Sequence, residues 1–167
     1  MNNNFNMSDD FFERSFRMYA DMIYRLAYAR TKSKHDADDI LQEVFVRFLH
    51  NKKPFNDAEH LKAWFIRVTI NCSNTYLSSV WKKIMLTPEE IDRDRISVFP
   101  QEKSDLYYAV LELPVNQRTV IHLFYNEDYS TKEIAELLNM KDGTVRSLLS
   151  RARSALRKKL QGVDFDV

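Results

Sequence analysis

The stretch from Tyr129 to Arg153 constrains the fold of this chain more than any other. Ser130 and Glu133 have the spacing of a capping box, in which each side chain accepts a hydrogen bond from the other residue's backbone amide, so a helix is expected to begin here. The apolar pattern of this helix breaks at the polar run 139–143, and a second helical period resumes at Thr144. This order predicts a helix-turn-helix.

The second helix of this motif has two different faces, since side chains three or four residues apart lie on the same side of a helix. One side consists of Val145, Leu149, Ala152, Leu156 and Leu160. The other carries Arg146, Ser147, Ser150, Arg151 and Arg157, with Arg153 at the border. A basic face with small serines fits the major groove of DNA, where guanidinium groups bind phosphates or guanine. The alternative is a solvated surface helix, but the capped helix and turn in front of it favour DNA binding.

Glycine and proline are scarce, with two glycines and four prolines in 167 residues. Little material remains for the repeated tight turns of a β fold, so we expect an all-α protein. No apolar run approaches the roughly 20 residues that span a bilayer, and the polar amino terminus does not resemble a signal peptide. We therefore expect a cytoplasmic protein without membrane insertion.

The sequence contains few of the residue patterns that form metal, cofactor or catalytic sites. Cys72 is the only cysteine and the four histidines show no ligand spacing, which predicts no metal site and no cofactor. Paired carboxylates at metal-ligand spacing, a nucleophile elbow and a phosphate loop are all missing from the sequence, which argues against an enzyme acting on DNA. We expect neither catalysis nor a small-molecule substrate.

Basic residues are concentrated in one part of the chain. The formal net charge is +1, yet Lys141 to Leu160 contains seven basic residues and one acid. Local potential decides where phosphates bind, so this helix can hold DNA even in a nearly neutral chain. Because the overall charge is weak, its unaided affinity should be modest, which points to delivery by a larger partner.

The amino-terminal half is expected to contain three helices, over about 10–29, 36–49 and 61–83. The core face of the second consists of Ala37, Ile40, Leu41, Val44, Phe45 and Phe48. Its opposite face carries Asp39, Gln42, Glu43 and Val46. Acidic residues near the start of a helix are usually explained by solvation and by a favourable interaction with the helix dipole. The third helix mixes aromatic, amide and basic side chains that suit single-stranded DNA. The alternative is that the aromatic side chains, and Trp64 in particular, pack in the core, as aromatics at helical spacing usually do.

The helical pattern fails between Met85 and Ser104, where two prolines and alternating charges predict a flexible linker. Two further helices follow, over about 105–113 and 115–125, separated by Pro114. The expected fold is therefore two small helical domains, 1–84 and 105–162, joined by the linker 85–104.

In this order the segments resemble the extracytoplasmic-function (group 4) sigma factors of bacterial RNA polymerase, over nearly the whole chain. The segment 36–45 resembles region 2.2, and 63–71 resembles regions 2.3 and 2.4. The run 111–118 is similar to region 4.1, and 133–153 to region 4.2. The resemblance implies three binding partners: core RNA polymerase, promoter DNA and an anti-sigma factor.

The resemblance also implies site residues. Polymerase would bind Asp39, Gln42, Glu43 and Val46. The melted minus-10 element would bind Trp64, Arg67, Asn71, Asn74 and Tyr76. The minus-35 duplex would bind Lys132, Thr144, Arg146, Ser147, Ser150, Arg151 and Arg153.

Three positions depart from the family pattern. Leu148 stands where a basic residue is usual, and Thr75 and Ser78 stand where an acid and a base are common. These departures bear on the promoter sequence rather than on the function. The main rival interpretation is a dimeric helix-turn-helix regulator that binds a palindrome without polymerase.

Overall fold

The structure is a computed structural model that describes residues 8–86 and 104–161, with the side chains of 8–79 and 104–161. These residues form seven α-helices and one π-helical turn, and none of those described lies in a strand, which confirms the all-α fold. They divide into two compact units, one on each side of the gap. Most of the predicted linker falls on residues 87–103, which lie outside the described residues.

The first unit consists of three long helices, α1 (Asp9–Thr31), α2 (Lys34–His50) and α3 (Ala58–Leu86). Serines cap the first two, because Ser8 Oγ accepts from the Phe11 amide and Ser33 Oγ from the Asp36 amide, each at 3.2 Å. Each of the three helices packs against the other two.

Aromatic rings fill the centre of the first unit. Phe48 and Phe65 are fully buried, with ring centroids 4.9 Å apart, and Phe45 lies 5.4 Å from Phe65. The predicted core face of α2 is buried, except that Leu41 is only partly covered. Rings at these distances bury large apolar areas, so this cluster stabilises the packing of all three helices.

The second unit is made of shorter helices, α4 (Asp105–Leu111), α5 (Val115–Ile121), α6 (Thr131–Leu138) and α7 (Asp142–Lys159). A π-helical turn, His122–Asn126, continues α5. Helices α4, α5 and α6 all pack against α7. Their shared core is mainly aliphatic and contains Leu113, Val120, Leu123, Ile134, Val145 and Leu149.

Several boundaries differ from the sequence expectations. Helix α2 begins at Lys34, before the predicted Asp36, because Ser33 supplies the cap. Helix α3 continues to Leu86, so the first two residues assigned to the linker are helical. Helix α7 begins at Asp142 rather than at Thr144.

Candidate nucleic-acid interface

The helix-turn-helix begins with the predicted capping box. The Glu133 amide donates to Ser130 Oγ at 3.2 Å, and the Ser130 amide donates to Glu133 Oε2 at 2.7 Å. The hydrogen bond from the Ser130 amide lowers the pKa of the Glu133 carboxyl, and the Ser130 side chain lowers it by a smaller amount. Both residues are exposed, so the box fixes the start of α6 without being buried.

The turn between α6 and α7 depends on an asparagine rather than on the glycine. Asn139 adopts the left-handed conformation with φ 53°, and the Met140 amide returns to the Ala135 carbonyl at 2.9 Å. Gly143, which the sequence pattern predicts in the turn, lies in the first turn of α7. A short polar side chain tolerates this conformation, which is why asparagine closes the turn.

Helix α7 separates its two faces as its periodicity predicts. Val145, Leu149 and Ala152 are buried against the second unit's core, with Leu160 beyond the helix end, whereas Leu156 of the same predicted side is only partly covered. The predicted DNA-facing side chains Thr144, Arg146, Ser147, Ser150 and Arg151 are all exposed. Arg146 Nε lies 3.1 Å from Asp142 Oδ2. Asp142 is partly covered but the Arg146 side chain is exposed, so its guanidinium can exchange this carboxylate for another anion. The geometry therefore leaves a basic face free to approach DNA.

Arg153 is held differently from these residues. Its Nε donates to Tyr125 Oη at 2.8 Å, and its guanidinium lies 5.4 Å and 5.6 Å from the ring centroids of Phe124 and Tyr125. Both distances are short enough for cation–π attraction. Arg153 is thus tied to the π-helical turn, whereas Lys132, the predicted contact on α6, is simply exposed.

The acidic and amide face of α2 is also on the surface. Gln42, Glu43 and Val46 are exposed and Asp39 is partly covered. Glu43 Oε1 accepts from Arg47 Nε at 2.9 Å, and Asp39 lies 3.4 Å from His35. Exposed pairs within one helix contribute little to stability, so these carboxylates are accessible to a partner.

The five minus-10 candidates on α3 occupy three kinds of environment. Arg67 and Asn71 are exposed. Trp64 is partly buried among the rings of Phe48, Phe55 and Phe65, with centroids 5.9, 5.7 and 5.3 Å away. Tyr76 is also partly buried, and burial, followed by the charge of Asp39, raises the pKa of its hydroxyl. Asn74 is exposed but its side-chain oxygen accepts a hydrogen bond from Arg30 at 2.6 Å.

Arg30 is the residue of this surface that the sequence pattern did not predict, because the first helix was expected to end at about residue 29. It lies in the last turn of α1 and is 4% exposed. A signal was present, since Ile23, Ala27 and Arg30 continue the i, i+4, i+7 spacing of the buried side of α1.

Neither a metal centre nor a membrane span is evident within 8–86 and 104–161. These residues contain no group of three or more His, Cys, Asp or Glu side chains that could hold a metal ion. None of the helices in the same ranges is long and apolar enough to cross a bilayer.

Known proteins match both units. The family description Sigma-70 region 2 matches residues 15–83, and Sigma-70, region 4 matches residues 103–156. The ECF RNA polymerase sigma factor SigW of Bacillus subtilis is 30% identical over 160 residues, which covers 86% of each chain. The ECF RNA polymerase sigma factor SigE of Mycolicibacterium smegmatis is 32% identical over 156 residues, which covers 86% of this chain and 59% of the relative.

Solved structures share the fold. The sigma factor RpoE of Bartonella quintana, in complex with the anti-sigma factor NepR, matches with a TM-score of 0.72 at 22% identity, covering 95% of this chain and all of that one. CnrH, in complex with the cytosolic domain of CnrY, matches with a TM-score of 0.62 at 19% identity, covering 94% of this chain and 92% of that one. With both regions matched in order, the chain belongs to the ECF RNA polymerase sigma factors of the sigma-70 family.

Proposed function

We propose that this sigma factor directs core RNA polymerase to promoters through one polymerase-binding face and two DNA-binding faces. The observation that carries the proposal is helix α7, where Arg146, Ser147 and Arg151 are exposed opposite the buried seam of Val145 and Leu149. A recognition helix with this division can enter the major groove of the minus-35 element while its other side remains packed.

The polymerase-binding face is the exposed side of α2. Asp39, Gln42 and Glu43 supply acceptors and an amide, and Val46, 47% exposed, adds an apolar contact. Such a surface fits a basic partner with an apolar centre. Opposite charges steer the association of the two proteins, and burial of apolar side chains then stabilises the complex. Attachment to polymerase would also offset the modest DNA affinity of a nearly neutral chain.

The minus-10 element would bind along α3 after it is unpaired. Arg67, Asn71 and Asn74 are exposed, and they offer a charge for phosphates and amides for base edges. Trp64 and Tyr76 border them with partly exposed rings on which bases can stack. Unstacking a base costs about a few kcal/mol, which these contacts would offset without a chemical energy source.

We further propose the domain limits 1–84 and 105–162 with a linker between them, a cytoplasmic location and an anti-sigma partner. The sigma factor RpoE, which shares the fold and was solved in complex with the anti-sigma factor NepR, supports the last point by analogy. The family consists of transcription initiation factors without catalytic activity. This chain accordingly acts by binding.

The test combines binding with transcription. Purified protein should be retained by bacterial core RNA polymerase, and the complex should give run-off transcripts from a promoter selected from random DNA. Retention without promoter-dependent transcripts would contradict the proposed function. Binding of a palindrome by a dimer that does not retain polymerase would favour a conventional helix-turn-helix regulator instead.

A further inference from the structure

A buried guanidinium connects the end of α1 to the proposed DNA-binding face of α3. Arg30 is 4% exposed, and its Nε donates to Ser73 Oγ at 2.5 Å. Its Nη2 donates to Asn74 Oδ1 at 2.6 Å. Ser73 Oγ in turn donates to the Ile70 carbonyl at 2.7 Å. Since a buried charge needs hydrogen-bond partners, this network holds all of these groups in fixed positions.

The network decides which way the Asn74 amide faces. A guanidinium carries only donors, so the amide atom that meets Arg30 has to be the oxygen. The nitrogen of the same amide therefore points away from Arg30. Among the described side chains none accepts a hydrogen bond from Asn74 Nδ2, and the residue is exposed. Asn74 thus presents N–H donors to a ligand and keeps its acceptor occupied inside the protein.

Asn71 provides the contrast one turn earlier on the same helix. It is exposed as well, and its amide has no hydrogen-bond partner within the described part of the chain. Its oxygen and nitrogen can exchange places by rotation, so Asn71 is able to offer a donor, an acceptor or both. Two asparagines of identical chemistry are therefore prepared for different ligands.

We propose that Arg30 is a positioning residue that makes Asn74 a donor-only reader of an unpaired promoter base, favouring bases with a carbonyl oxygen over adenine. An asparagine that recognises adenine in a bidentate manner needs both its N–H and its oxygen, and Arg30 withholds the oxygen. Adenine is also the only DNA base without a carbonyl oxygen. Its acceptors N1 and N7 both lie beside the 6-amino group, so an amide that offers only donors meets another donor there, whereas a carbonyl oxygen accepts from it directly. This inference rests on the proposed function, since the base has to be one that α3 holds.

The test is a selection of DNA by the full-length protein assembled with bacterial core RNA polymerase. The templates carry a mismatched bubble with a randomised minus-10 segment, so that melting is not needed, and the retained DNA is sequenced. With the wild-type protein, one bubble position should be depleted of adenine by about threefold to tenfold, the ratio expected from one ordinary hydrogen bond. Asn74→Ala should flatten that position and leave the others unchanged.

Two further variants test the positioning role. Arg30→Lys keeps the charge but replaces the fork with a single rotatable ammonium, so adenine should return at that position in a protein whose circular dichroism is unchanged. Asn74→Asp, an exposed change, keeps an oxygen against Arg30 and replaces the outward donor with an acceptor. It should remove the preference for carbonyl-bearing bases at the same position even if Arg30→Lys does not fold.

Two matched variants separate base reading from charge and from packing. Ser79→Asp adds the same charge to an exposed position of the same helix, away from Asn74, and should weaken retention of all templates without changing the base pattern. Ser73→Ala removes the hydrogen bond from Arg30 Nε to Ser73 Oγ and should lower the melting temperature while adenine stays depleted.

The outcomes are distinct. A preference at that position that persists in Asn74→Asp, or in folded Arg30→Lys, would overturn the inference while the proposed function stands. A wild-type complex that retains no bubble DNA would overturn the proposed function, and the inference with it.

Discussion

The two units of this sigma factor relate packing to binding in different ways. In the first, three long helices meet at an aromatic cluster, and Trp64 belongs both to that cluster and to the proposed minus-10 surface. In the second, α7 buries Val145 and Leu149 on one side and exposes Arg146 and Arg151 on the other. Stability and DNA binding should therefore be coupled in the first unit and separable in the second.

The units also differ in the charge that they present. Helix α2 exposes carboxylates, whereas α7 exposes guanidinium groups. One chain thereby presents two faces of opposite charge, and a net charge of +1 conceals both. The following predictions test how far this contrast between the units extends.

The largest effect is expected at Phe48, which is fully buried at the centre of the aromatic cluster. Phe48→Ala leaves a cavity that the neighbouring rings cannot fill, so it should lower the free energy of unfolding of the first unit by about 3–5 kcal/mol, measured by chemical denaturation. Met18→Ala, at a side chain 69% exposed, serves as the control and should change stability little. Equal losses in both variants would mean that the aromatic cluster does not hold the unit together.

Charge reversal on α2 should have the next largest effect. The double variant Asp39→Lys and Glu43→Lys replaces attraction by repulsion and should weaken binding to core polymerase by about a hundredfold, ~3 kcal/mol. Circular dichroism and minus-35 duplex binding should stay normal, because both residues are on the surface. Unchanged polymerase affinity in a folded double variant would remove α2 as the docking face.

Trp64→Ala tests the coupling directly. Because the ring is partly buried among Phe48, Phe55 and Phe65, its loss should cost about 2 kcal/mol of stability and also reduce retention of bubble DNA. Trp64→Phe is the matched variant and should recover part of both properties. Loss of stability with full DNA retention would show that Trp64 is a core residue only.

Separability in the second unit is tested by Arg146→Ala and Arg151→Ala. Each should weaken minus-35 duplex binding by about 1–3 kcal/mol if the side chain reads a base, while the melting temperature stays constant. A salt titration of binding distinguishes phosphate contacts, since losing one lowers the salt slope by about one. Wild-type affinity in both variants would identify the basic face as a solvated surface.

The smallest effect is expected at the contact between Arg153 and the π-helical turn. Tyr125→Phe removes the hydroxyl that accepts from Arg153 Nε but keeps the ring beneath the guanidinium. Stability should fall by less than about 1 kcal/mol, because the bond is exposed. A gain in duplex affinity would indicate that Arg153 becomes available to DNA once released, whereas a loss would indicate that Tyr125 holds it in place for DNA.

The local spacing of residues along the sequence was enough to predict most of the secondary structure of this protein and the two faces of α7. The helices, the capping box of Ser130 and Glu133 and the two faces of α7 all follow from residues three or four positions apart. The same periodicity identified the exposed face of α2. Boundaries were less accurate, as at Asp142, because a cap or a left-handed residue moves a helix end without changing the periodic pattern.

The sequence by itself therefore determined that the chain is all-α, where its helix-turn-helix lies and which face of α7 is basic. Only the tertiary structure decided that Arg30 turns the Asn74 amide outward and that Tyr125 holds Arg153, since these partners are 44 and 28 residues apart. It also decided that Trp64 is shared between the core and the surface. The physical reason is that periodicity reports which side of a helix is covered, whereas a hydrogen-bond partner depends on which other helix covers it.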